Sequence, residues 1–225
     1  MLLLGGAALV ALIAGLVITT LAAYRPTRDE RFALMPGDRW IAQPMFVTTQ
    51  AVTVPAPVER VWPWIAQMGA GRAGWYSYDA IDNGGTPSAT VILSAYQHLE
   101  PGDLLSAVPG SEDAFIVLAV DPPRDLVLGG PLDRDGHQRV SWEFLLRPLP
   151  EDRARLIVRG RVAATWLSAP PRHDPRRAPF FIERVYGAMA HIPRPILMIG
   201  AGFGHRVMQN AQLRGLKRRV AQRAS

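Results

Sequence analysis

Apolar and polar positions along the chain fall into blocks with different periods. The first block, "MLLLGGAALVALIAGLVITTLAAY" (1–24), carries no charged side chain. About 20 apolar residues in a helix span a bilayer core, so residues 1–24 are expected to form a retained transmembrane anchor. A cleaved leader would need basic residues ahead of a shorter apolar core, and no Lys or Arg precedes this run. Residues 25–44 are polar and hold Pro26, Pro36, Gly37 and Pro44, which predicts a linker lying over a domain that occupies 45–225.

Within that domain the period changes repeatedly. "FVTTQAVTV" (46–54) is β-branched and predicts a strand. In "APVERVWPWIAQM", Val58, Val61, Ile65 and Met68 recur at helical spacing, with Pro57 at the first turn and Gly69 as the expected C-cap. A short helix is predicted over "YSYDAIDN" (76–83), then turns over "GGTPSAT" (84–90). Strands are predicted within 99–110, over 113–121 up to Pro122-Pro123, and over "RDLVLGG" (124–130).

Two longer stretches alternate cleanly. In 139–149, Val140, Trp142, Phe144 and Leu146 share one face. In 153–165, Leu156, Val158, Gly160 and Val162 lie opposite Arg155, Ile157, Arg159 and Arg161. Such strands predict an antiparallel sheet wet on one side, with Glu143, Arg159 and Arg161 solvated and Trp142 in the core. After a proline-rich loop (168–179), a helix is predicted from about Phe180, broken at "IPRP" (192–195) and resuming through "HRVMQNAQLRGLKRRVAQ". Strand, short helices, antiparallel strands and a long last helix make an α+β layout in which the sheet curls around that helix. The space between them suits a small apolar ligand.

Charge changes the picture at the two ends. Residues 1–169 hold 14 Arg against 17 acids, while residues 170–225 hold 11 Arg and Lys against Asp174 and Glu183. Arg25, Arg28 and Arg31 directly follow the apolar run, which by the positive-inside rule sets the domain on the cytoplasmic side of the cell membrane. The basic tail adjoins the apolar stretch "AMAHIPRPILMIGAGFG". Residues 179–204 are expected to be a membrane-contacting insertion, with Arg172, Arg176, Arg177 and Arg194 on lipid headgroups; a solvated helix packed on the sheet accounts for the same charge equally well. No aromatic-and-basic platform for nucleic acid accompanies this charge, so no nucleic-acid partner is expected.

Motifs for chemistry are sparse. Gly69-Ala70-Gly71-Arg72-Ala73-Gly74 spells G-x-G-x-x-G, but it follows a helix where a dinucleotide site needs a strand. There is no Cys, and the five histidines (98, 137, 173, 191 and 205) lack metal-ligand spacing, so no metal is expected. "GAGFGH" (200–205) reads as close helix packing or membrane contact. Trp75, Tyr76 and Tyr78 are the candidate ligand wall, and core packing accounts for them equally well. Asp79 and Asp82 are candidates to bind a ligand's polar group; capping the short helix, or pairing with Arg72, is the alternative.

The stretch "TVPAPVERVWPWIAQMGAGRAGWYSYDAIDN", with "DPPRDLVLGG", "VSWEFLLRPL" and "LRGLKRRVA", resembles membrane-anchored bacterial members of the START/SRPBCC superfamily. These are the helix-grip proteins: lipid-transfer proteins, polyketide cyclases and pollen-allergen-like proteins. The resemblance covers roughly 36–168 and 205–222. It implies a curved antiparallel sheet wrapped around a long C-terminal helix, a hydrophobic cavity and no obligatory cofactor. The implied function is binding or transfer of a lipid or polyketide-like molecule. An alternative is a cyclase- or hydratase-type enzyme with a pocket Asp or Tyr as general acid or base. Residues 179–204 are longer and greasier than the family pattern.

Overall fold

The computed structural model describes residues 15, 18–20, 22–110, 114–130, 132, 135–167 and 192–222. Most of the expected anchor (1–24), the proline-rich loop and 179–191 lie outside them. Among the described residues no helix is long and apolar enough to cross a membrane.

Six strands form one antiparallel sheet in the order β1-β6-β5-β4-β3-β2. They are β1 (Phe46–Val54), β2 (Leu104–Ser106), β3 (Ala114–Asp121), β4 (Asp125–Gly129), β5 (Val140–Leu149) and β6 (Arg153–Val162). A short α1 (Arg28–Phe32) and a 3-10 turn (Pro36–Ile41) precede β1; α2 (Val58–Ala66) and α3 (Asp79–Asp82) follow it. The chain ends in α4 (Arg194–Gln222), 29 residues long. A six-stranded antiparallel sheet with a long C-terminal helix lying on it fits a helix-grip fold.

The inner face follows from the alternation. Phe144 and Leu146 of β5 and Leu156 and Val158 of β6 point inward with Leu126 and Leu128 of β4. They meet Val61, Trp64 and Ile65 of α2 and Leu213, Leu216 and Val220 of α4. Fully burying each such side chain stabilises the fold by about 1.5–3 kcal/mol.

Three glycines explain the block after α2. Gly69, Gly71 and Gly74 all have positive φ (130°, 74° and 77°), and Gly69 and Gly74 exchange two backbone hydrogen bonds, at 3.3 and 2.9 Å. The helix already ends at Ala66, with Gln67 as its C-cap. Gly69 therefore opens this closed loop and does not cap the helix as expected. The loop follows a helix and folds onto itself, leaving no helix N-terminus for a pyrophosphate.

The outer face departs from the expectation of a solvated sheet. Residues 28–42 lie across it. Arg155 pairs with Glu30 at 2.7 Å, and Arg159 and Arg161 each reach Asp38 at 2.9 Å. Arg159, only 3% exposed, also donates to the carbonyls of Glu30, Arg31 and Ala33. The arginine stripe is thus the docking surface for the linker. Alternation identifies which face a side chain takes, but it cannot tell a charge in water from a charge held by a partner.

Glu143, expected in solvent, is 2% exposed beneath the same segment. Burial, and then the charge of Asp125, push its carboxyl up to about 8, against a hydrogen bond from Gly37 N–H. Asp125 is also raised, burial first, and shares a hydrogen bond with Glu143. A Cβ at Gly37 would stand 2.7 Å from a Glu143 carboxyl oxygen, so only glycine lets the 3-10 turn lie this close.

Candidate functional site

Between α4 and the sheet lies a cavity of about 340 Å³. Helical spacing builds one wall: Met198, Gly202, His205, Met208, Gln209 and Gln212 of α4 face it. Strand alternation builds the opposite wall, with Phe46 and Thr48 of β1, Phe115 of β3, Val140 and Trp142 of β5, and Gly160 and Val162 of β6. Trp75, Ser77 and Asp82 close the side formed by the 69–83 region, and Trp166 also lines it.

Small residues hold the space open at two points. A Cβ on Gly160 would lie 3.1 Å from Thr48 Cγ2 and 3.6 Å from His205 Nε2; one on Gly202 would meet the Phe46 ring at 3.0 Å. The "GAGFGH" cluster therefore lies inside α4, and its Gly202 brings that helix against β1.

Aromatic rings dominate the wall. Trp142 stacks at a tilt with Trp75 (5.4 Å between ring centres), Phe115 (5.3 Å) and Phe144 (4.7 Å). The indole N–H of Trp142 donates to Gln209 Oε1 at 3.0 Å. Gln209 Nε2 then donates to Gln212 Oε1 at 2.6 Å, and Gln212 Nε2 to Met68 Sδ at 3.6 Å. Trp75 Nε1 donates to the Ala107 carbonyl at 3.0 Å, and Ser77 Oγ to that of Met208 at 3.1 Å.

Two polar atoms of this wall are buried with no partner: Asp82 Oδ1 and His205 Nε2. A buried polar atom without a hydrogen bond is costly, and its presence in a cavity points to a ligand or water that satisfies it. Burial and the neighbouring charge of Asp79 push the Asp82 carboxyl up to about 6. Burial pushes the His205 imidazole down to about 4, with Arg206 adding to the shift. The imidazole is therefore neutral near pH 7.

The residues singled out in the sequence divide sharply. Trp75 and Asp82 line the cavity; Tyr76, Tyr78, Asp79 and Arg72 do not. Tyr76 is buried structure. Its hydroxyl donates to Trp64 O (3.0 Å) and accepts from Gln67 Nε2 (2.9 Å), and its ring carries the Arg219 guanidinium at 4.7 Å. A Cβ at Gly215 would stand 2.1 Å from Tyr76 O, so α4 packs directly on this residue. Tyr78 is 44% exposed. Asp79 accepts from Ser88 N–H at 3.0 Å. Arg72 donates to the Ala66 and Tyr96 carbonyls, without a bond to either aspartate. Trp142, read as core, lines the cavity, and His205 and Gln209 were not singled out at all. Their signal is the stripe 198–202–205–209–212 at helical spacing.

Of the expected headgroup arginines, Arg172, Arg176 and Arg177 lie outside the described residues; Arg194 is the first residue of α4. Among the described residues no group of three or more His, Cys, Asp or Glu stands close enough to hold a metal ion.

No protein-family model and no curated protein matches the sequence. Solved structures are similar at low identity. One from Mycobacterium smegmatis has a TM-score of 0.43 at 14% identity, over 78% of this chain and 91% of its own. One from Nitrosomonas europaea has 0.43 at 10%, over 79% and 96%. An aromatase/cyclase from a Streptomyces species has 0.41 at 15%, over 80% and 96%. Likenesses at this level decide neither ligand nor reaction.

Proposed function

We propose that this protein binds a small, largely apolar molecule in the cavity between α4 and the sheet, as a membrane-held carrier or sensor. The observation that carries the reading is the cavity: about 340 Å³, walled by aromatic and aliphatic side chains, with two unpartnered polar atoms inside. Pockets of this size and lining suit small organic ligands fixed by a few polar contacts. The uncharged run at 1–24, followed by Arg25, Arg28 and Arg31, supports a single-pass anchor with the domain on the cytoplasmic side. Native mass spectrometry of the full chain released from mild detergent tests the binding. A co-purified apolar mass that disappears when Gly160→Val narrows the cavity is the expected result. A ligand-free spectrum, together with no uptake of added apolar compounds, overturns it.

A second reading, a cyclase- or hydratase-type enzyme, draws on one observation. Asp82 and His205 line the same cavity, with the carboxyl raised and the imidazole lowered. Between about pH 4 and 6 one is a neutral acid and the other a neutral base, the condition under which such a pair moves protons. Turnover of a bound compound that is lost in both Asp82→Asn and His205→Gln would favour this reading over simple carriage.

A further inference from the structure

Resting on the binding reading above, we infer that the cavity selects apolar molecules bearing a hydrogen-bond donor, a hydroxyl above all, and rejects carboxylates and phosphates.

The argument starts from charge. Among the described residues the lining contains no Lys or Arg, and its one ionisable acid is Asp82. An anionic ligand would lose its hydration on entry and meet no cation, with a carboxylate in the same wall. Burying an unpaired charge is among the most costly events in a protein interior. Five of the described arginines are engaged elsewhere: Arg155, Arg159 and Arg161 on the outer face, Arg72 and Arg219 on carbonyl oxygens.

The hydrogen-bonding inventory points the same way. Of the lining donors, the indole N–H groups of Trp75 and Trp142, the Ser77 hydroxyl and one amide N–H each of Gln209 and Gln212 are engaged with protein acceptors. Among the described lining residues, the buried side-chain atoms left without a partner are Asp82 Oδ1 and His205 Nε2. A carboxylate oxygen only accepts, and the Nε2 of a neutral imidazole accepts when the proton sits on Nδ1. A hydroxyl satisfies either, whereas an ether or a hydrocarbon of the same shape leaves Asp82 Oδ1 unsatisfied. The remaining surface, built on the Trp75–Phe115–Trp142 cluster, favours a ring system over a flexible chain.

Isothermal titration of the full chain in nonionic micelles with 1-naphthol, 1-methoxynaphthalene and 1-naphthoate at pH 7.5 tests this, heats of partition into empty micelles being subtracted. The expected order is naphthol about tenfold tighter than the methyl ether, as one buried hydrogen bond warrants, with naphthoate weakest. Asp82→Leu or His205→Phe should lower naphthol affinity toward that of the ether and leave the ether unchanged. Naphthoate or the ether binding as tightly as naphthol overturns the inference while leaving apolar binding intact. Absence of binding by all three sinks the binding reading itself, and the inference with it.

Discussion

Arg159 meets Asp38 at 2.9 Å on the outer face of the sheet, joining residues 121 positions apart in the chain. The same carboxylate takes Arg161 through its other oxygen, also at 2.9 Å. One aspartate thus pairs with two arginines that a six-stranded sheet would otherwise present to water, and it ties residues 28–42 to the domain. Removing it leaves two guanidinium groups under the segment without a counter-charge. Asp38→Ala is expected to cost about 3 kcal/mol, in the range for breaking a buried pair. Denaturant unfolding of the full chain in detergent measures this. A loss below about 1 kcal/mol would mean that the main-chain acceptors hold the segment by themselves.

The carboxyl pair under the same segment gives stability an unusual pH dependence. Glu143 is raised from an ordinary 4.5 to about 8 by burial and by Asp125. Between those values the folded protein holds a proton that the unfolded chain has released. Folded protein then binds more protons, so unfolding free energy falls as pH rises, and it levels off above about 8. Glu143→Gln keeps the shape and an acceptor for Gly37 N–H but cannot ionise. Its melting temperature should match the parent near pH 4.5 and exceed it at pH 8. Parallel curves for the two proteins across that window would show that Glu143 is ionised throughout.

Much of this architecture was legible in the sequence. Alternation placed β5 and β6 and assigned their inner faces correctly, because side chains on a strand have a fixed period of two. It also turned Trp142 inward, but periodicity cannot separate a core tryptophan from one at a cavity wall; that depends on what the facing helix presents, here His205 and Gln209. The outer face misled for a related reason. Arg159 and Glu143 look solvated when only local pattern is read, and their partners, Asp38 and Gly37, come from a segment more than 100 residues earlier. The aromatic block at 75–78 was conspicuous, yet its members have different tasks. Trp75 faces the cavity, while Tyr76, at φ 62°, turns away from it to receive α4. His205 was hidden because no spacing among the five histidines marks it; only its phase on α4 does.

Tyr76 supplies a test that separates packing from binding. Its hydroxyl bridges Gln67 and Trp64 O, so Tyr76→Phe leaves a buried amide and a buried carbonyl each short of a partner. The expected loss of stability is about 1–3 kcal/mol. Ligand affinity of the folded variant should be unchanged, because the ring lies outside the cavity wall. Weaker binding without loss of stability would return Tyr76 to the site.

Gly160 supplies the converse test. A side chain there projects between Thr48 and His205, where even a Cβ approaches to 3.1 and 3.6 Å. Gly160→Val suits a strand, but Thr48 must give way to it, so the melting temperature is expected to fall by several degrees while the protein stays folded. It narrows the cavity at its polar wall, and affinity for an apolar probe should fall at least about tenfold, given that over-filling a packed site costs about 1–3 kcal/mol. Unchanged affinity would move the ligand away from this wall.

The start of α4 bears on the membrane. Ile196 and Ile199 are 61% and 74% exposed, and Ile192 just before the helix is 38% exposed, while Met198 and Gly202 on the other side face the cavity. A helix apolar on both sides at one end of a ligand cavity is poorly suited to water. It adjoins, in sequence, the basic segment containing Arg172, Arg176 and Arg177. Each Arg close to an anionic leaflet adds about 1 kcal/mol of attraction before screening, and the isoleucines add an apolar contact that salt does not weaken. A chain shortened to begin at Tyr24 should therefore float with vesicles containing anionic lipid at low salt and stay in solution with neutral ones. Ile196→Asp with Ile199→Asp should abolish flotation without changing the melting temperature, since both side chains are exposed. A shortened, folded chain that ignores anionic vesicles at low salt would leave the N-terminal apolar run as the sole anchor. The start of α4 would then have no lipid contact of its own.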